Sequence, residues 1–377
     1  MREPATATAE PQVGTLRRAI LSTLLYADLF DYPLTDSEIR RYLIGEAAAT
    51  SQVTALLDGD AGLRRHVDRT GDWVHLTQRS HLAKVRRDRA AMSADLWPIA
   101  RHFGAWIARL PFVRLVGVTG ALVMNNATVG DDIDLFILVQ PGRLWLCRLF
   151  ILAIVRFAGH NGTTLCPNFL LSTDHLRLSE RNLFTAHEIA QMVPLTRTPW
   201  YDAFLEANGW VRDFLPNAFA EKRTGEGPLN PRSPKSVATR LLSTRLFDPL
   251  ERWEMERKVR RFRARQEREG GSVAFSVHEC RGHFAAHDAR ILAIYSDRLA
   301  AYAAALSCAT CSSASRTTCA SIPSSGRRCS HTLRSARFMP QATSAPATTR
   351  SHSSTPCWRT RKTNGRAHST VATPVSR

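Results

Sequence analysis

Leu16, Ile20, Leu24, Leu25 and Leu29 recur at helical spacing and predict an amphipathic helix from Thr15 to Phe30, ended by Pro33. Thr35, with Glu38 three residues on, is a capping-box pair, so a second helix is expected to about Leu43. Thr50 or Ser51 is the expected cap of a third helix through Val53, Leu56 and Leu57. From Leu63 to Leu76 two short strand-like runs flank Thr70-Gly71-Asp72, a hairpin signal. Residues 79–109 return to helical periodicity and read as a linker.

The pattern changes at Pro111. Phe112–Val118 is apolar and β-branched, a buried strand ended by Gly120. Ala121–Asn126 is a short helix or turn. Ile133–Val139 is a second buried strand, stopped by Pro141-Gly142. Arg143–Phe157 is an apolar helix, and Thr164–Ser172 a third strand, so the intervening helix permits a crossover connection. Phe184–Met192 and Trp200–Phe214 read as helices, 222–236 as a Gly- and Pro-rich loop, and Val237–Leu246, Leu250–Glu269 and Ser276–Ala304 as helical. The fold class is therefore α/β: a mixed-sheet core over 111–195, with a helical linker over 79–110 and a mainly helical region over 196–305. Three helices and a hairpin over 15–78 have the layout of a winged helix.

Composition alters this picture mainly at the ends. Of the formal net charge of +18, residues 307–377 carry +11 and no acid, leaving +7 for the rest. Bulk charge is thus weak evidence for a nucleic-acid partner. The tail from 306 onward is rich in Ser, Thr, Ala, Arg and Pro without periodicity; it is expected to be disordered, and its abrupt start also fits out-of-frame coding sequence. It holds five of the eight cysteines, and Cys147, Cys166 and Cys280 are too scattered for a disulfide framework. Residues 1–14 are polar, read as disordered, and lack the apolar core of a signal peptide. The apolar run Leu144–Phe157 is interrupted by Arg148 and falls short of the roughly 20 residues a membrane span needs. No membrane partner is expected, and the cytoplasm is the default location.

The chemistry concentrates between Val118 and Ile137. Side chains alternate along a strand, so Asp132 and Asp134 share one face and Ile133 and Leu135 the other. Two carboxylates so close repel unless a cation lies between them, and hard oxygen ligands suit Mg²⁺ or Mn²⁺. Gly120 allows a tight strand-to-helix turn whose amides can hold phosphate. Asp131, at the strand entrance, reads as a turn residue.

Thr119-Gly120-Ala121, a ten-residue gap, then Asp132-Ile133-Asp134-Leu135 resembles the signature of the DNA polymerase β-like nucleotidyltransferase superfamily. LYADLFDYPLTDSEIRRYL resembles the winged-helix module that precedes some of these domains. The resemblance covers residues 15–305. It implies an α+β nucleotidyltransferase core in which Gly120, with Thr119 and Ala121, faces the phosphates of a nucleoside triphosphate, and Asp132 and Asp134 hold the metal. A nucleotidyl group would pass to an acceptor, whether small molecule, protein or RNA. Two departures stand out. Ala121 replaces a common Ser, and a third carboxylate on a later strand is not evident: Asn168 stands there, with Asp174 at the strand end as the acid that could serve or simply cap a loop.

Other features carry alternative readings. The winged-helix module is a DNA contact or a packing unit; SQVTALLDGD lacks Lys and Arg, whereas the hairpin region carries Arg64, Arg65, His66 and Arg69. A catalytically degenerate domain that binds nucleotide or a partner, or a DNA-binding regulator, are the other function classes. Lys84, Arg86, Arg87 and Arg89 form a solvated face or a phosphate-contacting edge. The Arg-rich stretch Arg252–Arg268 reads as a solvated, salt-bridged face. His278, Cys280, His283 and His287 lack the context of a metal site, with His283 and His287 one helical turn apart; His187-Glu188 reads as ordinary.

Overall fold

The computed structural model describes residues 9–314 save 161, 197, 221–234, 270 and 285–286. Residues 1–8, 315–377 and most of the loop expected over 222–236 therefore lie outside the described residues. Helix α1 (Ala9–Asp28) begins before the expected Thr15, inside a segment read as disordered. Helix α2 (Asp36–Arg41) carries the capping box: Glu38 N–H donates to Thr35 Oγ1 at 3.3 Å, and Thr35 N–H donates to Glu38 Oε2 at 2.9 Å. Helix α3 (Thr50–Gly59) is capped at Ala49 instead of Thr50 or Ser51, because Gln52 Oε1 accepts from Ala49 N–H at 2.8 Å and so satisfies the turn from its third position. Strands β1 (Val67–Thr70) and β2 (Trp73–Leu76) form the hairpin, with Gly71 at φ +61°. Leu63–Arg65 is a 3₁₀ turn and not part of a strand; Asp60 Oδ1 accepts from Leu63 N–H at 2.8 Å and fixes the turn. Ile20, Leu24, Leu34, Ile39, Leu43, Val53, Leu63 and Val74 close a core beneath this unit.

Helix α4 (Leu82–Ala108) follows. Two residues of its basic run are structural. Arg86 pairs with Glu38 at 2.7 Å and lies over the Tyr32 ring, while Arg89 donates to Phe30 O at 3.0 Å and Asn126 Oδ1 at 3.1 Å. They fasten α4 to the first helical unit and to the loop before the second sheet strand.

That sheet has the order β6-β3-β4-β5-β8-β7. Its strands are β3 (Val113–Val118), β4 (Ile133–Val139), β5 (Leu165–Ser172), β6 (Val193–Pro194), β7 (Gly271–Phe275) and β8 (Glu279–Phe284). β4 and β5 are parallel, joined across α5 (Leu144–His160); the other neighbours are antiparallel, so the sheet is mixed. α6 (Leu183–Gln191), α7 (Pro199–Ala207), α8 (Lys235–Leu242), α9 (Asp248–Glu269) and α10 (His287–Ala314) complete the described chain. The described part of 196–305 is mainly helical, but it also contains β7 and β8, so the helix expected from Ser276 starts only at His287. β8 pairs with β5, and Cys280, opposite Leu170, is 1% exposed. The apolar edge of β5 takes a partner strand whose own charges hide its period: Arg281 is buried against Glu180 at 2.8 Å and Glu279 at 3.1 Å. His283 lies in this strand, so it is not a helical neighbour of His287. α10 continues past Ser307, into the segment read as tail.

The two faces of β4 are packed differently. Ile133, Leu135, Ile137 and Val139 join the core with α4 and α5, and Phe136 and Leu138 join one with Leu25 and Tyr26 of α1 and Ile189 of α6. Strand β5 carries a bulge: Leu135 pairs with Pro167 but Phe136 with Phe169, so Asn168 is the extra residue. Among the described residues no helix is long and apolar enough to cross a membrane.

Candidate functional site

Val118 of β3 pairs with Leu135, and Thr119 N–H donates to Asp134 O at 3.0 Å. The ladder thus holds the chain until it bends at Gly120, whose φ of +71° and ψ of −153° admit glycine alone. A Cβ at Gly120 would collide with Asp134 Oδ2, so this glycine both turns the backbone and makes room for that carboxylate. The helix expected after it is a single 3₁₀ turn, Ala121–Met124, closed by Asn125 in the left-handed conformation. That is too short to present a helix dipole to phosphate.

Asp131 is the turn residue its position suggested, accepting from Thr128 N–H at 2.8 Å and from Thr128 Oγ1 at 2.9 Å. Asp132 and Asp134 are half-buried and converge. One ligand atom each from Asp132, Asp134 and Cys166 all lie within 4.8 Å of one another. Cys166 is brought there by register, since it pairs with Asp134 across β4 and β5. Burial raises the proton affinity of Asp132; the strand amide and the Cys166 thiol oppose this, and Asp131 adds to it. Two hard carboxylates fit Mg²⁺ or Mn²⁺. The thiol, which donates to Asp132, is a soft group that such ions do not select.

Asp174 does not belong with this pair. Ser172 pairs with Val139 at the far end of β4, six residues along β5 from Cys166, or about 20 Å at strand rise. Asp174 lies beyond it and meets His278 Nδ1 at 3.3 Å. The parallel register of β4 and β5 sends the two ends of the strand to opposite edges of the sheet, which excludes Asp174 as the third carboxylate.

A cavity of about 290 Å³ opens where Gly120, Asp134 and Asn168 face α1 and α6. Its walls include Tyr26, Phe30, Tyr42 and Phe184, and one acid that the sequence reading passed over, Glu188. Glu188 is half-buried in the cavity wall, and this burial pushes its pKa up to about 7. Beside it His187 stacks on Tyr26 with ring centroids 4.1 Å apart and meets Leu183 O through Nδ1 at 2.9 Å. Burial pulls His187 down to about 4, so it is neutral at pH 7. The local signal for Glu188 was a lone acid in the apolar helix LFTAHEIAQ, where Leu183, Phe184, Ile189 and Ala190 are buried.

Compared with models of known protein families, with curated proteins and with solved structures, the chain matches none.

Proposed function

We propose that this protein is a metal-dependent nucleotidyltransferase that moves a nucleotidyl group from a nucleoside triphosphate to an acceptor. One observation carries the reading: the Asp132 and Asp134 carboxylates converge beside a glycine bend, and Asp134 and Gly120 line a cavity open to solvent. Asp132 and Asp134 are the residues that would hold Mg²⁺ or Mn²⁺; burial penalises the bare Asp132 carboxylate, a cost that a bound cation would relieve as it displaces the proton. When bound, such an ion neutralises phosphate oxygens and the charge that develops on a leaving pyrophosphate. Gly120 keeps side-chain bulk away from that position and lets the backbone approach closely. Ala121 supplies no hydroxyl, so contact with phosphate falls to main-chain amides. The oxygen of an acceptor hydroxyl bonds to the α-phosphorus as the bond to pyrophosphate breaks, and the hydroxyl proton passes to solvent.

Incubation with each nucleoside triphosphate and Mg²⁺ or Mn²⁺ should release pyrophosphate. The D132A and D134A double variant should abolish release and also Mn²⁺ binding, read by electron paramagnetic resonance. Wild-type protein that binds no Mn²⁺ and turns over no triphosphate overturns the reading. A second reading, a domain of this type that binds without turnover, draws support from the cavity itself. Among the described residues its lining contains no Lys or Arg to offset a triphosphate. Ligand binding with intact affinity but no pyrophosphate marks that case.

A further inference from the structure

We propose that the cavity between α1 and α6 binds a small organic amine in its ammonium form, with the cation against Glu188 and its apolar body among the aromatic rings. As a statement about binding this is independent of nucleotidyl transfer; as an identification of the acceptor class it rests on that reading.

Among the described residues no hydrogen bond or ion pair reaches the Glu188 carboxylate; the influence recorded on it is burial. Withdrawing a carboxylate even partly from water without a partner is unfavourable, and proteins place such acids mostly in pairs or where a ligand supplies the counter-charge. A second acid, Asp134, lines the same cavity, and among the described residues no Lys or Arg does. Arginines that touch lining residues are not themselves in the lining: Arg86 holds Glu38 and the ring of Tyr32, Arg89 donates to Phe30 O and Asn126 Oδ1, and Arg41 lies over the ring of Tyr42. His187 is neutral. An anionic ligand would meet two acids and no fixed cation.

The walls point the same way. Tyr26 of α1, Phe30 just beyond it, Tyr42 at the end of α2 and Phe184 of α6 line the space, and aromatic rings attract cations. The volume of about 290 Å³ is at the small end of ligand pockets and suits a single-ring amine, not a polymer.

The test is calorimetric titration of the full chain, in chelator and without nucleotide, with benzylamine, benzyl alcohol and benzoate. These share one ring and differ in charge. Benzylamine should bind at least about tenfold tighter than benzyl alcohol, and benzoate not measurably. Glu188→Gln, nearly isosteric, should erase the preference for the amine while leaving the alcohol unchanged, with circular dichroism verifying the fold. The proposal is overturned if alcohol and amine bind equally, if Glu188→Gln keeps the preference, or if benzylamine does not bind at millimolar concentration. Since metal and nucleotide are absent, failure here leaves the pyrophosphate assay untouched, and failure of that assay leaves amine binding standing.

Discussion

Charge is buried in two places on opposite sides of the sheet, in opposite ways. Against α5, Arg148 and Glu254, both 0% exposed, form an ion pair at 3.0 Å, and Glu254 also holds Arg257. One turn earlier Glu251 accepts from Trp145 N–H at 2.8 Å and Leu146 N–H at 2.6 Å, capping the first turn of α5. Glu251, Glu254 and Lys258 form a buried stripe on α9, a helix whose composition reads as a solvated face. Against α1, Glu188 is half-buried with no such partner and lines a cavity. The first arrangement consumes its charges in holding helices together. The second leaves one unspent in a cavity wall, and that difference separates scaffold from site.

Breaking the scaffold should have the largest effect. Glu254→Ala leaves Arg148 buried without its acid and should cost about 3–5 kcal/mol in denaturant unfolding. Replacing both residues together, as Arg148→Met with Glu254→Leu, should restore most of that. A double variant as unstable as the single one breaks the assignment.

Glu188→Gln should act in the other direction. The folded pKa of about 7 lies above the usual 4.5, so the acid's contribution is fully present at low pH and is lost as pH rises toward 7. Above pH 7 the glutamine variant should therefore be more stable, by as much as about 3 kcal/mol. His187 has the reverse sign: its folded pKa near 4 lies below 6.5, so its contribution is present above 6.5 and declines toward 4. Between about 4.5 and 6.5 the two slopes oppose, and the variant should expose the histidine's slope. Parallel wild-type and variant melting profiles across pH would remove Glu188 from this account.

Gly120→Ala should cost about 1–3 kcal/mol through its positive φ and should weaken Mn²⁺ binding by displacing Asp134. Unchanged metal affinity would uncouple the glycine from the carboxylate. Arg69→Ala sets the lower bound. Its pairs with Asp36 at 2.9 Å and Asp58 at 3.4 Å are exposed, so the loss should stay below about 1 kcal/mol.

Much of the sheet was legible because its central strands are buried on both faces and read as apolar runs: β3, β4 and β5 lie within a residue of their expected bounds. The Asp132/Asp134 convergence followed from strand alternation alone. What escaped depends on distant partners. β6 is two residues long, and β8 is a strand because β5 offers it an edge, while its sequence alternates charges that are neutralised from other segments. Asp174 looked like a third acid because strand length in sequence does not reveal at which end of the sheet a residue emerges. Glu188 was read as ordinary although it is the lone acid of an apolar helix, since the sequence does not tell whether such an acid faces a cavity or water.

The bulge at Asn168 separates building from equipping. With Asn168 removed, Cys166 and Phe169 would sit two positions apart, the normal spacing for one face, and β5 could pair with β4 uninterrupted. The ladder thus has no call on Asn168, whose side chain instead lines the cavity. A deletion at this position should spare the architecture and subtract an amide from the binding surface, so that the chamber could be retuned without rebuilding the walls.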